Sequence, residues 1–253
     1  MKMICQKISQ ETLDFEKSPS CKSKNILLSV RNVGVVFNRN RSIFKKKEFE
    51  AIKNVSFDVH AGESIGIIGH NGAGKSTLLS LLAGIIKPDR GRVINYGVKV
   101  SLLSLYVGFV NELSGLDNIV LSGLALGFPK TDIYQKIDSI IEFSGIEEHI
   151  NYPVRTYSTG MRARLGFSIT HLLQTDVLLI DETLGVGDKD FQQKSTKAMK
   201  EKIKSDQTVI LVSHNAGVIK ELCDRSIWIE KGAIVAEGPT GEVVDRYQNE
   251  KQK

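Results

Sequence analysis

The sequence predicts an α/β fold built on a mainly parallel sheet, and three observations carry that prediction. A glycine-rich stretch, Gly69-His70-Asn71-Gly72-Ala73-Gly74-Lys75-Ser76-Thr77, lies between an apolar run of strand length and a run with helical spacing. Strand-like segments alternate with helical ones towards both ends of the chain, the pattern of a parallel sheet covered by helices. Residues of about 106–172 read as helical throughout and interrupt that alternation, as an inserted subdomain would.

Taken in order, residues 1–25 are rich in Lys, Ser, Glu and Gln and carry Pro19. They hold too little apolar surface to order themselves and are expected to form a flexible arm. Ile26 to Phe37, with Val30, Val33, Val35 and Val36, reads as a strand. Asn38 to Lys47 carries Arg39, Arg41 and Lys45-Lys46-Lys47 and reads as an exposed loop. A solvated charge run is the expected role, with contact to lipid headgroups or a partner as the alternative. Phe49 to Val59 is a second strand, ended by Ala61-Gly62-Glu63, and Ser64 to Ile68 a third, wholly apolar after its first residue. A helix runs from Thr77 towards Ala83-Gly84, and Pro88 to Gly91 turns the chain into a strand at Arg92-Val93-Ile94. Val98 to Leu105 continues in β fashion. Helices are expected at Gly115–Gly127, Thr131–Phe143 and Thr159–Leu173, with Asn151-Tyr152-Pro153 breaking the pattern between the last two. Asp176 to Ile180 has the composition of a central parallel strand. Then follow a helix over Asp190–Ile203, a strand over Thr208–Val212 and a helix over Ala216–Cys223. A hairpin through Lys231-Gly232 and a short helix around Gly241–Tyr247 close the chain, leaving residues 241–253 as a C-terminal helix and tail.

Bulk properties narrow the function classes. A chain of 253 residues can bury a substantial core without a disulfide or metal staple. The three cysteines, Cys5, Cys21 and Cys223, are far apart and form no C-x-x-C pair, which fits a reducing compartment and argues against a zinc site. Net charge is +5. That balance admits nucleic acid or an anionic membrane surface, but a mildly basic soluble protein with a polyanionic ligand is the preferred reading. No apolar run approaches the roughly 18 residues of a membrane span, and the N-terminus lacks the apolar centre of a secretory signal. The expectation is a soluble, intracellular chain that reaches any membrane through a partner.

The chemistry is carried by four segments. The first fits G-x-x-x-x-G-K-[ST], a phosphate-binding loop of nucleotide hydrolases. Its strand–loop–helix setting presents backbone N–H groups at a helix N-terminus, and Gly72 and Gly74 let the backbone curl around phosphate oxygens. Lys75 is placed to reach the β- and γ-phosphates and the Ser76 hydroxyl to ligate magnesium. In the second, Asp181 and Glu182 follow Val177-Leu178-Leu179-Ile180 at a strand's carboxyl end, where ligands of open α/β sheets collect. A carboxylate there can hold Mg²⁺, and Glu182 can polarise an attacking water. On their own the two acids serve equally well as caps of the next helix; downstream of a phosphate loop the catalytic reading prevails. In the third, Ser213-His214 ends another strand; a lone His is more often a structural hydrogen-bond donor, but at the same edge as Asp181 the preferred reading is that His214 meets the γ-phosphate or orients the water. In the fourth, Tyr157-Ser158-Thr159-Gly160-Met161 opens a helix, with Ser158 as N-cap and Gly160 leaving N–H groups open to an anion; taken alone, the segment reads better as an ordinary capped helix.

In order and spacing these segments resemble an ATP-binding-cassette (ABC) nucleotide-binding subunit over roughly residues 26–240. The resemblance implies a P-loop NTPase core with an antiparallel β subdomain beside the parallel sheet and a helical subdomain inserted at about 106–172. Tyr157 to Met161 takes the place of the family's L-S-G-G-Q signature, Gly187-Asp188 matches the end of its D-loop, and Phe37 matches the aromatic that stacks on adenine. Tyr-Ser-Thr-Gly-Met, the run from Asp181 to Gln192, Phe49-Glu-Ala-Ile and the run from Glu112 to Asn118 look like the ATPases of polysaccharide exporters, which serve O-antigen, capsule and teichoic-acid transport.

That subgroup implies an ATPase that powers export of a lipid-linked polysaccharide from the cytoplasmic face of the inner (plasma) membrane. It further implies ATP and Mg²⁺ as ligands, a homodimer with Ser158 and Gly160 of one chain facing the phosphate loop of the other, and a separate permease expected in two copies. No carbohydrate-binding domain follows Tyr247 in this sequence, so substrate choice is expected to lie in the permease. Two departures stand out. Thr159 and Met161 replace a Gly and the Gln of the signature, and no glutamine occurs near Val110-Asn111-Glu112, where the family places its Q-loop. Asn111, Glu112 or a water is then left to complete the metal's coordination. The rival readings are a cassette for another substrate or a cassette ATPase acting on nucleic acid. The interval from Lys75 to Ser158 is too short for the long coiled coil of DNA-maintenance ATPases. The translation kind joins two cassettes in one chain, whereas this sequence carries one; a second rival, a GTPase switch, would need an Asn-Lys-x-Asp guanine-reading segment, which is absent. Nucleic acid is therefore not an expected partner.

Overall fold

Continuous apolar runs become central strands because both faces of a parallel sheet are covered. The computed structural model of the chain describes residues 26–40, 46–103, 108–182 and 185–251. The expected arm at 1–25, and Arg41 and Lys45 of the basic run, lie outside the described residues. In the six-stranded sheet β3 (Ser64–Ile68), β6 (Val177–Asp181) and β7 (Thr208–Val212) form the centre with β8 (Arg225–Glu230). The order, starting from β5 (Val100–Leu103), is β5-β6-β7-β3-β8, closed by β9 (Ala233–Pro239). The first five are parallel and only β9 runs antiparallel, through the turn at Lys231-Gly232. Every residue of β3 and β7 is buried.

The antiparallel β subdomain is a second sheet in the order β2-β1-β4, formed by β1 (Ile26–Asn40), β2 (Lys46–His60) and β4 (Arg90–Asn95). In β1 strict alternation would keep one parity facing inward along the whole strand. Instead the buried positions switch from Leu28 and Val30 to Val33 and Val35. The register shifts between Val30 and Val33, where Asn32 takes a left-handed φ of 49° and its N–H donates to Ser56 Oγ at 2.7 Å. This bulge brings both pairs to one core.

Helices α1 (Lys75–Leu82), α5 (Lys189–Ile203), α6 (Ala216–Leu222) and α7 (Thr240–Lys251) accompany the large sheet. Helices α2 (Gly115–Ala125), α3 (Lys130–Ser144) and α4 (Thr159–Leu172) fill the interval expected to be helical. They pack around their own core of Ile119, Ile133, Ile137, Ile140, Leu165 and Ile169. Observed ends differ from expectation by a few residues. The largest difference is at α7, which continues to Lys251 because Val243, Val244 and Tyr247 on its inner face are buried in the core beside Trp228. Among the described residues no helix is long and apolar enough to cross a membrane. Cys223 is buried, and burial pushes its thiol up to about 12, which rules out a reactive thiolate there.

At the amino-terminal ends of β6 and β7, away from the phosphate loop, a cavity of about 870 Å³ opens between α4 and α5. His171 lines it, stacked on Phe167, with its carbonyl accepting Lys202 Nζ at 2.6 Å. Burial, reinforced by the Lys202 charge, pushes the His171 imidazole down to about 4. A base depressed on folding takes up its proton more readily in the unfolded chain, so acid favours unfolding. Stability is therefore expected to fall as pH drops from about 6.5 towards 4, by up to about 2 kcal/mol at pH near 5. Urea unfolding at neutral and acid pH tests this, since His171→Phe should flatten that part of the profile; an unchanged acid slope in the variant would place the loss elsewhere.

Candidate nucleotide site

The loop after β3 is shaped by what crosses it. A Cβ on Gly74 would stand 2.5 Å from the Ala51 carbonyl oxygen, and Gly74 takes φ 109°, so only glycine fits. Gly74 is also the N-cap of α1 and offers no side-chain cap, leaving the first N–H groups of the helix facing outward. Those groups and the helix dipole make an anion site. They open on a cavity of about 530 Å³ lined by Phe49, Ala51, Asn71, Gly72, Gly74, Lys75, Ser76, Thr77, Asp181 and Glu182.

Strand order explains the convergence. β3 lies beside β7, and β7 beside β6, so the loop, Ser213-His214 and Asp181-Glu182 emerge at one edge. Lys75 is buried, and its ammonium donates to the carbonyls of Gly69 at 2.9 Å and His70 at 3.0 Å. Glu182 has a left-handed φ of 57°, held by its N–H donating to the Val212 carbonyl at 2.9 Å. A non-glycine residue in that region costs about 1–3 kcal/mol and is kept where surrounding structure enforces it. The turn aims Glu182 both into the cavity and towards His214, whose Nδ1 lies 3.5 Å from a carboxylate oxygen. His214 itself is largely exposed and does not line the cavity.

Several expected site residues stand elsewhere. Gly69 and Ala73 shape the loop from below without lining the cavity; a Cβ on Gly69 would meet the Ile229 carbonyl oxygen at 2.1 Å. The His70 side chain turns away from the cavity to pair with Glu230, at 2.8 Å. Phe37 does not line the cavity, whereas Phe49, its direct cross-strand partner, does. Both rings are partly exposed. The wall is built by β2, and only the hairpin register puts Phe49 there. Phe49 was legible as an aromatic in a strand but not as a wall of this site, and the same holds for Ala51.

Ser158 caps α4, its Oγ accepting from the Met161 N–H at 3.2 Å; Ser158 and Thr159 are exposed and Gly160, one residue into the helix, is half-buried. Neither lines the cavity of its own chain. Asp188 caps α5, accepting from the Phe191 N–H at 3.0 Å; that bond first, and Arg164 nearby, hold its carboxyl below the ordinary range. Asn111 and Glu112 also stand outside the cavity. The Asn111 carbonyl instead accepts from the Arg155 N–H at 2.9 Å, which joins that segment to the one leading into Ser158.

Asn118, fully buried, pins this junction. Its amide donates to the carbonyls of Val110, Leu113 and Ser114, and its oxygen accepts from the Val110 N–H. Asn118→Ala leaves the Val110 N–H without this acceptor and takes one of two donors from each of the three carbonyls, which keep the N–H groups of Leu113, Val154 and residue 118 itself, and is expected to destabilise the chain by about 1–3 kcal/mol. Denaturant unfolding measures this, and a loss below about 1 kcal/mol would contradict it.

Among the described residues no group of three or more His, Cys, Asp or Glu could hold a metal ion. Ser76 and Asp181 face one cavity, and this donor set suits magnesium, which takes one or two protein oxygens and completes its shell with phosphates and water.

Comparison with known proteins agrees with this geometry. The ABC transporter family profile matches residues 52–185. An O-antigen export system ATP-binding protein, RfbB of Klebsiella pneumoniae, is 42% identical over 216 residues, covering 85% of this chain and 88% of that protein. The teichoic acids export ATP-binding protein TagH of Lactococcus lactis is 43% identical over 237 residues; the chain spans only 49% of its length. Among solved structures, an ATP-binding subunit of an ABC transporter superposes with a TM-score of 0.70 at 19% identity, over 88% of this chain and 93% of that one. A dimeric ATP-binding cassette in a post-hydrolysis state bound to ADP and Pi gives 0.67 at 20% identity, over 85% and 99%. With the profile spanning just over half of its length, and RfbB matching most of the remainder, the chain belongs to the ABC transporter family.

Proposed function

We propose that the chain is the ATP-binding and ATP-hydrolysing subunit of an exporter for a lipid-linked polysaccharide of the O-antigen, capsule or teichoic-acid class. It works as a homodimer at the cytoplasmic face of the inner membrane, bound to two copies of a separate permease. One observation carries the reading: Lys75, Ser76, Asp181 and Glu182 line one cavity, while the helix start at Ser158-Gly160 lies outside it. The triphosphate sits on the loop N–H groups, and Lys75 exchanges its two carbonyl partners for phosphate oxygens. Ser76 and Asp181 would hold magnesium, which neutralises phosphate charge when bound. A second chain supplies Ser158, Gly160 and the start of α4 as a further anion site, closing the cage and excluding water. Glu182 accepts a proton from the water that attacks the γ-phosphorus, and His214, beside Glu182, orients that water. Loss of the γ-phosphate removes the charge that held the two chains together.

Leu121 and Leu124 stand exposed on one face of α2, and Val110 is exposed beside its pinned turn, an apolar surface suited to the permease. Identities above 40% to ATP-binding proteins of O-antigen and teichoic-acid export support the substrate class. The test is purification of the tagged chain from its own cells in mild detergent. A polytopic membrane protein is expected to accompany it, with ATPase activity in the complex. Recovery with DNA or RNA and no membrane protein would favour the nucleic-acid reading instead.

A further inference from the structure

The phosphate loop is held from outside as well as inside, and its second residue does both. The His70 carbonyl accepts Lys75 Nζ at 3.0 Å, while its imidazole Nδ1 meets Glu230 Oε2 at 2.8 Å. Glu230 ends β8, next to the strand that delivers the loop. The His70 ring also stands 5.6 Å from the ring of Tyr247 on α7, tilted at 58°. Tyr247 is buried and makes an edge contact with Trp228 at 5.5 Å. The turn after Glu230 adds a second tie, since the Gly232 N–H donates to the Ala73 carbonyl at 2.9 Å. A continuous path of contacts therefore runs from α7 through one imidazole to the carbonyls that aim Lys75.

We infer that His70 is a positioning residue that latches the phosphate loop to the C-terminal helix, so that the seating of α7 sets nucleotide affinity. The inference rests on the ATP-site reading above. Its physical basis is pre-organisation: a loop already fixed in its binding shape loses less freedom when the triphosphate arrives. The His70–Glu230 pair is partly exposed, with side chains 52% and 29% accessible, so its contribution belongs to the modest range of such pairs. The expected effect is a change of about threefold to fivefold in affinity, without loss of the site.

The test is a double-mutant cycle on the full chain, reading the KM for ATP, kcat and the melting temperature. His70→Ala and Tyr247→Leu are each expected to raise KM about threefold to fivefold, and the double variant by no more than either alone, because both break one path. His70→Gln, which still donates to Glu230, should recover part of the loss, and Tyr247→Phe, which keeps the ring contacts with His70 and Trp228, should raise KM less than Tyr247→Leu does. If Tyr247→Leu fails to fold, the His70→Ala and Glu230→Gln cycle reads the same path. Multiplicative effects in the double variant, an unchanged KM in His70→Ala, or a fall in kcat that follows melting temperature with KM constant would each overturn the latch. Parent protein that binds no ATP would instead overturn the ATP-site reading, and the latch with it.

Discussion

Glu182→Gln is expected to lower kcat by about 10²- to 10⁴-fold, the range a positioned general base contributes. It should leave the ATP dissociation constant within about twofold of the parent, because the side chain acts on water and not on the phosphates held by the loop. The substitution is nearly isosteric, and the left-handed turn at this residue is fixed by its own backbone N–H donating to Val212, which glutamine retains. Folding is therefore expected to be unchanged. Binding without turnover keeps the γ-phosphate charge in place, so ATP should hold the variant as a lasting dimer. Single-turnover kinetics with light scattering read both effects. A fall in kcat of less than about tenfold would remove the base assignment from Glu182.

Lys75→Ala acts one step earlier. The ammonium is buried and donates to two loop carbonyls, at 2.9 and 3.0 Å, beside the cavity proposed to take the triphosphate. Removing one partner of a buried charge pair costs about 2–5 kcal/mol, so ATP affinity should fall by about 30-fold or more. Titration with a fluorescent ATP analogue measures the loss directly. Retention of parent affinity would mean that the triphosphate binds elsewhere. The two variants thus separate binding from chemistry: one keeps nucleotide without turning it over, and the other fails to hold it.

Features set by neighbours along the chain were legible in the sequence, and features set by register or by distant packing were not. The phosphate loop is contiguous, and its strand and helix flank it directly, so its geometry followed from nine consecutive residues. Asp181-Glu182 and Ser213-His214 were placed correctly at the same edge because each ends an apolar run, and parallel strands end together. Phe49 illustrates the opposite case. Its place in the cavity wall depends on the strand pairing that sets it opposite Phe37, which the bulges of β1 make unreadable from spacing. Asn32 reverses the inward parity of β1 through one left-handed residue, a change invisible to a period-2 count. His70 belongs to the loop motif, but its side chain answers to Glu230, 160 residues away, and to α7. Asn118 was an ordinary polar residue in a helix until the turn at Val110–Ser114 folded over it.

The central claim is that each catalytic site is completed by a second copy of this chain. Gly160 can be replaced without crowding, since a Cβ there meets nothing nearer than Ser158 Oγ at 3.8 Å. Gly160→Asp keeps the helix start but faces phosphate with a carboxylate. Lys75→Ala and Gly160→Asp chains should each be inactive alone, for different reasons. The decisive measurement is the ATPase activity of an equal mixture of the two. In a mixed dimer one site pairs an intact loop with an intact helix start, so the account predicts that activity returns on mixing. A mixture as inactive as its two components would contradict it.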